Sequence, residues 1–521
     1  MSLIPSHTDN PTLSSMQDVS TSSMDQPQKH VVIMGAGPAG LTAAYELAVH
    51  KQVGVTVLEK DPHYVGGISR TVEHDGYRFD IGGHRFFSKS TEVEDLWTEI
   101  MGDDLLVRPR LSRIIYQGKY FDYPLKAFNA LFNLGPIETV RCISSYATAR
   151  IAPTRDPKNL EDWVTNQFGK RLFSIFFKTY TEKVWGISTK ELSADWAAQR
   201  IKGLSLFSAI KSAILPQKNK KGGEVIKTLI DEFRYPRRGP GELWERTAKV
   251  IGQRGYPVAM GKEIVSVQHD GQQVTGIVTR DADGNTKLER GTHYISTLPM
   301  RELVYAFDPP LPEHVRQAAD ALKYRDFLTV ALIVNQAEMF PDNWIYLHDP
   351  EIIAGRIQNF KNWSPEMVPD ASKTCLGLEY FCFEGDGLWT SSDEDLVKIG
   401  SKDLLALKMC QQEEILGGFV VRQPKAYPVY DDEYKIHVRT IRDYLEANAS
   451  NLQLVGRNGM HHYNNQDHSM MSALCAARNI ATGANLDPWS VNTDAEYHEG
   501  TRDVEDTAGR HVPQRAMAAE K

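Results

Sequence analysis

The chain has 521 residues, of which 41% are hydrophobic and 24% charged, and its formal net charge is −8. This length and composition are typical of a globular chain of roughly three domains with enough apolar residues for large cores. The five cysteines are scattered without CxxC spacing, so we predict no disulfide framework and no metal site. The acidic balance argues against a general nucleic-acid binder.

Both ends of the chain have the composition of polar tails. Residues 1–29 are rich in Ser, Thr, Asp and Gln without an apolar period, so we predict a disordered tail, and residues 487–521 turn polar again. The first stretch lacks the apolar centre of a signal peptide, and no apolar run of about 20 residues predicts a transmembrane helix. With the scattered cysteines, this predicts a cytoplasmic location. The basic piece Gln217–Gly223 is either an exposed loop or a contact with a membrane or another polyanion.

The first strong motif lies between a short strand and a helix. His30–Met34 is apolar and β-rich, the turn Gly35-Ala-Gly-Pro-Ala-Gly40 follows it at once, and Leu41–Ala48 is rich in helix formers. Such a turn lets the backbone approach a pyrophosphate, which the N-terminus of the helix then binds. A second strand, Val55–Leu58, ends at Glu59, where an acid can accept hydrogen bonds from ribose hydroxyls. This order of elements predicts a dinucleotide site.

Two further glycine pairs follow, Gly66-Gly67 and Gly82-Gly83. Glycine pairs mark places where backbone passes close to a ligand, and three such places favour a long, extended cofactor over a nicotinamide. Here the chain resembles the FAD flavoproteins of the amine oxidase, protoporphyrinogen oxidase and UDP-galactopyranose mutase group. The resemblance is carried by Val31–Glu59, Gly66–Phe87 and Leu454–Ala477.

This resemblance implies an α/β fold with a discontinuous, Rossmann-like FAD-binding domain and an inserted substrate domain of helices and an antiparallel sheet. FAD is the implied cofactor, and its reduced form would be the active one in a mutase. In this scheme, the FAD-binding parts 30–105, 236–300 and 431–486 alternate with a substrate insertion of helices at 106–235 and a substrate-domain sheet at 301–430.

One segment resembles the substrate-domain signature of the mutases. It runs over Phe176–Gly186 and continues at Lys190–Leu192. The resemblance implies that Tyr180 and Trp185 line the substrate pocket, where aromatic faces suit a uracil ring or a sugar. The alternative is that both rings pack in a helical core.

Arginines near two more mutase-like stretches are candidates for binding the substrate diphosphate. The resemblance implies that Arg325, at the end of Leu322–Arg325, reaches the diphosphate and the flavin edge, and a surface salt bridge is the alternative. Arg356 opens the second stretch, and Arg200 is a looser candidate for the same diphosphate. A planar guanidinium suits bidentate binding of phosphate oxygens.

The last mutase-like segment ends at Asp467. Gly456, Arg457 and Tyr463 match the family pattern, whereas Asn465 replaces its first acid. The resemblance implies that the helix from Ser469 onward directs its N-terminus at the flavin. Earlier in the chain, His84 resembles a histidine on the flavin face, and a structural histidine is nearly as good an interpretation.

These interpretations give three sets of candidate residues. The catalytic candidates are His84, Arg325 and Tyr463. The cofactor-binding candidates are Gly35, Gly37, Pro38, Ala39, Gly40, Glu59, Lys60, Gly66, Gly67, Ile68, Ser69, Gly82, Gly83, His84, Val265 (through its backbone), Gly456, Arg457, Asp467, Ser469 and Met470. The substrate-binding candidates are Tyr180, Trp185, Arg200, Arg325, Arg356 and Tyr463.

Two functions stay open. The resemblance implies a mutase that interconverts the pyranose and furanose forms of a nucleotide-activated sugar, with reduced flavin N5 as the nucleophile. The rival is an FAD-dependent oxidoreductase acting on a glycan-pathway or other small molecule, with an external electron donor or acceptor. A mutase tyrosine would fall at Ala354, which leaves the substrate open. We expect a small-molecule partner and no nucleic acid, and a homodimer is left open.

Overall fold

The computed structural model describes residues 29–125, 127–192, 232–431 and 433–491. Several predictions fall outside this part of the chain: the N-terminal tail up to residue 28, Arg200, Gln217–Gly223, and the C-terminal tail from residue 492. No helix in the described ranges is both long enough and apolar enough to cross a bilayer.

The regular elements are numbered here in chain order. The strands are β1 (His30–Met34), β2 (Gly54–Leu58), β3 (Thr71–His74), β4 (Tyr77–Asp80), β5 (Leu105–Pro109), β6 (Ser112–Tyr116), β7 (Lys119–Asp122), β8 (Glu232–Pro236), β9 (Glu263–His269), β10 (Val274–Arg280), β11 (Thr286–Glu289), β12 (His293–Ser296), β13 (Phe307–Asp308), β14 (Tyr324–Val334), β15 (Trp344–Leu347), β16 (Arg356–Asn359), β17 (Thr374–Cys382), β18 (Ile415–Pro428) and β19 (Leu452–Leu454). The helices are α1 (Pro38–Tyr45), α2 (Thr91–Met101), α3 (Ala127–Leu134), α4 (Pro136–Ile151), α5 (Leu160–Phe168), α6 (Lys170–Phe173), α7 (Thr179–Trp185), α8 (Gly241–Gln253), α9 (Met300–Ala306), α10 (Glu313–Ala321), α11 (Phe360–Trp363), α12 (Asp393–Ala406), α13 (Tyr434–Asn448), α14 (Gly456–Gly459) and α15 (Gln466–Thr482).

A parallel sheet in the order β19-β12-β1-β2 forms the centre of the first domain. Because side chains alternate along a strand, Val31 and Ile33 of β1 face the core under α1 and α15, whereas Val32 and Met34 face the core under α10 and α13. The strands come from three separate parts of the chain, which confirms the discontinuous α/β domain.

A larger, mostly antiparallel sheet in the order β18-β14-β17-β16-β15-β6-β7 forms the second domain. β17 pairs with β14 along its full length, from Asp326 opposite Cys382 to Val334 opposite Thr374. The sheet starts at Tyr324 rather than at residue 301, because α9 and α10 pack on the core of the first domain. It also takes β6 and β7 from the stretch 106–235, which we had assigned to the helical insertion.

The helices α3 to α7 cover one end of the second sheet. Leu160, Val164, Phe173 and Phe176 pack there with Phe121 of β7 in a separate apolar core. The structure therefore places a helical layer beside the antiparallel sheet, as the sequence predicts.

Candidate functional site

A cavity of about 1440 Å³ lies between the two domains. One end is lined by the glycine turns of the first domain, and the other by the second sheet and by α5 and α7. We call these the cradle end and the wall end. The cavity is continuous between the two ends, so a ligand bound in the cradle can reach a second molecule at the wall.

The first glycine turn forms the cradle. Gly35 has a φ of +101°, and a Cβ atom there would come within 2.1 Å of the Thr297 Oγ1 atom. A Cβ at Gly40 would lie 1.9 Å from the carbonyl oxygen of Gly35, so this glycine is needed for the close packing of α1 on β1. α1 begins with Pro38 directly behind the turn, and its N-terminus faces the cavity. The predicted strand, turn and helix are thus confirmed.

Glu59 closes the cradle at the end of β2. Its Oε2 accepts a hydrogen bond of 2.8 Å from the Ala36 N–H, and its Oε1 accepts one of 2.9 Å from the Asp61 N–H. Burial raises the pKa of this carboxyl. A carboxylate fixed by two backbone donors keeps lone pairs free for ribose hydroxyls. The neighbouring Lys60 lines the cavity and forms an exposed ion pair with Glu263.

The second and third glycine pairs also reach the cavity. Gly67, Ile68 and Ser69 line it, and so do Gly82, Gly83 and His84. Gly66 lies just behind the lining: its N–H bonds to the Ala36 carbonyl at 2.8 Å, and its φ of +95° sets the turn.

His84 stands at the point where the cradle meets the wall. Its Nδ1 lies 3.2 Å from the Gly82 carbonyl oxygen. Burial and the nearby Arg457 guanidinium lower the pKa of this histidine to about 3. It is therefore neutral at physiological pH and offers one donor and one acceptor, not a positive charge.

The C-terminal segment completes the cradle. Gly456, Arg457, Asp467 and Ser469 line the cavity. Arg457 donates through Nε to the Asn464 carbonyl and through Nη1 to the Ala426 carbonyl, both at 2.9 Å.

A buried side chain, Asp467, and a half-buried one, Asn465, lie at the start of α15. Asp467 accepts a 3.0 Å hydrogen bond from the Ser88 hydroxyl, and burial raises its pKa to about 7. Asn465, which replaces the family acid, caps the helix through its side chain. Met470 lies outside the lining, because its sulfur accepts a 3.2 Å contact from the Trp97 indole N–H in the core.

Aromatic rings line the wall end. Tyr180 stacks on His348 with ring centres 5.0 Å apart and lies edge-on to Tyr346 at 5.4 Å. The ring centres of Trp185 and Tyr463 are 6.3 Å apart. All five side chains line the cavity, so the structure brings Tyr180, Trp185 and Tyr463 together as predicted.

Sequence reasoning missed most of the second-sheet face of the wall. Trp344 and Tyr346 on β15 and Gln358 on β16 line the cavity beside Arg356 of β16, which is a predicted candidate. They are cross-strand neighbours, because Trp344 pairs with Gln358 and Tyr346 with Arg356. The alternation of Trp344, Tyr346 and His348 was the available signal, since residues two apart in a strand share a face.

A buried ion pair lies in this face. Arg356 bonds through Nε to the carboxylate of Glu379, which is fully buried and also accepts a 2.7 Å hydrogen bond from Gln358 Nε2. The bond to Glu379 uses Nε, so the two Nη groups of Arg356 remain for a ligand in the cavity. Glu379 was not a candidate from sequence, because its role depends on strand pairing.

The placement of Arg325 does not fit its predicted contact with a diphosphate. Its side chain is buried and does not line the cavity. The guanidinium donates to the carbonyls of Phe381 at 2.9 Å, Val184 at 3.3 Å and Lys183 at 3.4 Å. Arg325 therefore ties the C-terminus of α7, which carries Tyr180 and Trp185, to the second sheet.

Two further positions lie away from the cavity lining. Val265 is in β9, whose first residue, Glu263, forms an ion pair with the lining residue Lys60. Ala354 is fully buried in the core on the other face of the second sheet, so a tyrosine there would not face the cavity either.

The chain belongs to the family of flavin containing amine oxidoreductases, whose model matches residues 38–422. A probable UDP-galactopyranose mutase of Klebsiella pneumoniae is 29% identical over 176 residues, which cover 32% of this chain and 44% of that protein. The dTDP-fucopyranose mutase of Escherichia coli is 27% identical over 173 residues, with 32% and 44% covered. The chain thus matches less than half the length of these relatives.

Among solved structures, reduced UDP-galactopyranose mutase has the same fold, with a TM-score of 0.76 and 22% identity over 89% of this chain and 96% of that one. The family and the cavity together place the protein among the flavin-containing proteins of this fold. The cradle residues described above fit a flavin cofactor.

Proposed function

We propose that the chain binds FAD in the cradle and interconverts the pyranose and furanose forms of a nucleotide-activated sugar at the wall. The observation that carries this proposal is the continuous cavity in which Arg356 lies near both His84 of the cradle and Tyr180 of the wall. The mutase relatives, named for UDP and dTDP sugars, support it.

The cradle suits the adenine dinucleotide half of FAD. Backbone N–H groups at the start of α1 would bind the pyrophosphate, and Glu59 would bind the ribose hydroxyls. The row from Gly67 to His84 would then lie along the flavin. When bound and reduced, the flavin supplies a nucleophilic nitrogen that can displace a diphosphate from an anomeric carbon.

The wall would hold the nucleotide sugar. Arg356 faces the leaving diphosphate with its two Nη groups, and its charge is held in place by Glu379. Burial raises the pKa of Tyr180 well above its usual value, so its phenol stays protonated and can donate to an oxygen of the substrate. The rings of Tyr180, Trp344 and Tyr346 shield the site from water.

The same wall also supports the second candidate, an FAD-dependent oxidoreductase of a less anionic small molecule. Glu379 neutralises Arg356, and Arg325 does not reach the cavity. Of the two described arginines that the mutase resemblance places at the diphosphate, Arg325 is outside the lining and Arg356 is paired with a carboxylate, which favours a substrate less anionic than a diphosphate.

The test uses the full-length protein loaded with FAD and reduced under anaerobic conditions. We expect UDP-galactofuranose or dTDP-fucofuranose to be converted to the pyranose form, measured by chromatography, without net oxidation of the flavin. Arg356→Lys should lose most of the conversion, and Arg422→Ala, on the same sheet outside the cavity lining, should keep it. Absence of conversion of either sugar, with a neutral substrate bleaching the oxidised flavin, would establish the oxidoreductase instead.

A further inference from the structure

The outer helices of the second domain expose large apolar side chains. Phe132 in α3 is 88% exposed, and in α4 Ile137 is 72%, Val140 64% and Ile151 84% exposed. Single exposed apolar residues are ordinary, but a group on adjacent helices indicates an interaction surface. We call these four residues the α3–α4 face.

The exposed residues of α4 lie on one side of the helix. At 100° per residue, Ile137, Val140, Ala147 and Ile151 fall within an arc of roughly 80°. The buried residues Cys142 and Ala149 lie on the opposite side. α4 therefore packs on the protein with one side and presents an apolar stripe with the other.

Basic residues border the stripe. Arg141 and Arg150 lie on its two edges, and the side chain of Arg141 is 65% exposed. The acidic residue of α4, Glu138, is already bonded to Arg141 and Arg171. The described stretch that contains this face is basic as well: residues 127–192 hold nine Lys and Arg against six Asp and Glu, in a chain whose net charge is −8.

We propose that the α3–α4 face docks on an anionic lipid bilayer, with α4 lying in the plane of the interface. An apolar stripe flanked by arginines is the pattern of interfacial helices, in which apolar groups enter the acyl boundary and the cations meet the headgroups. A second copy of the chain fits less well, because a two-fold contact through the middle of α4 would bring Arg141 of each copy towards Arg150 of the other.

The position of this face gives the contact a consequence for the cavity. Tyr123, Pro124 and Leu125, which directly precede α3, line the wall end, and so does Leu160 at the start of α5. α4 packs on α5 and α6. Docking would therefore bring the wall end of the cavity towards the bilayer, whatever the substrate is.

The test is flotation of the FAD-loaded, full-length protein with vesicles of phosphatidylcholine, with and without phosphatidylglycerol. We expect binding to the anionic vesicles, weakened by high salt, and little binding to the neutral ones. Ile137→Ser with Ile151→Ser should lower the bound fraction by at least about tenfold, and Arg141→Gln with Arg150→Gln by about fivefold or more. Ile436→Ser, which changes an isoleucine of α13 that is 64% exposed, should leave it unchanged.

The flavin content of each variant is measured to check that it is folded, and light scattering is used to measure its oligomeric state. The inference is overturned if anionic vesicles do not bind, if neutral vesicles bind equally, or if Ile436→Ser has the same effect as the double isoleucine change. A wild-type dimer that Ile137→Ser with Ile151→Ser converts to a monomer, without vesicle binding, would assign the face to a second copy.

Discussion

The cradle and the wall of the cavity are built in different ways. The cradle uses backbone from short contiguous segments, and its critical positions are glycines such as Gly35 and Gly40, where a Cβ would collide with a neighbour. The wall uses side chains from distant elements: Tyr180 of α7 stacks on His348, and Arg356 pairs with Glu379. A site made of backbone depends on a local motif, whereas a site made of side chains depends on strand register.

The largest effect is expected in the cradle. Gly35→Ala places a Cβ 2.1 Å from Thr297 Oγ1 at a φ of +101°, so the turn must move. We expect the purified protein to lose most of its flavin, as measured by visible absorbance. Gly387→Ala, where a Cβ meets nothing within 4 Å, is the matched control and should keep its flavin. Full flavin content in Gly35→Ala would show that the turn is not part of the cofactor site.

The next effect tests the wall. Arg356→Ala leaves the fully buried Glu379 carboxylate without its partner, which should lower the free energy of unfolding by about 3–5 kcal/mol. Arg356→Met with Glu379→Gln should recover most of that loss in urea titrations, but not the affinity for UDP. If the double variant binds UDP as tightly as the wild type, Arg356 does not bind the diphosphate.

The free energy of unfolding is expected to depend on pH through Asp80, which ends β4 just before the Gly82 turn of the cradle. This carboxyl accepts hydrogen bonds from the Tyr235 hydroxyl and, at 3.0 Å, from Thr71 Oγ1, and burial raises its pKa from 3.8 to about 7. The folded chain therefore keeps a proton that the unfolded chain releases. Its contribution to stability is complete below about pH 4 and falls by about 1.4 kcal/mol per unit up to about pH 7.

Asp80→Asn removes this titration. Chemical unfolding of both proteins at several pH values from 4 to 8 measures the difference. The loss of stability of the wild type relative to Asp80→Asn should grow to a few kcal/mol by pH 7 and then level off. Parallel pH profiles of the two proteins would mean that Asp80 is ionised throughout.

The smallest effect concerns Arg325, which supports the wall from behind. Arg325→Met removes donors to three carbonyls, so we expect a loss of about 2 kcal/mol in the free energy of unfolding. The affinity of the folded protein for UDP, measured by calorimetry, should change little, because Arg325 does not line the cavity. If Arg325→Met strongly lowered the affinity for UDP without changing the free energy of unfolding, Arg325 would contact the substrate after all.

The accuracy of sequence-based prediction follows the same division. The turn from Gly35 to Gly40, the acid Glu59 and the later glycine pairs were predicted, because they are close in sequence and their chemistry depends on backbone conformation. Tyr180 and Trp185 were predicted only from the resemblance of their segment to that of the mutases. Glu379 and Gln358 were missed because a carboxylate and an amide become neighbours only through the pairing of β16 with β17.

The sequence by itself determined the cradle of this protein, since the conformation of a strand, a glycine turn and a helix is set by neighbouring residues. Only the tertiary structure decided which arginine faces the cavity. Arg325 and Arg356 lie on the same face of the second sheet, but the C-terminal end of α7 packs over Arg325 and accepts its hydrogen bonds, whereas Arg356 lines the cavity. The physical reason is that a helix from a distant part of the chain packs over one arginine and not over the other, and the local sequence of neither arginine shows this.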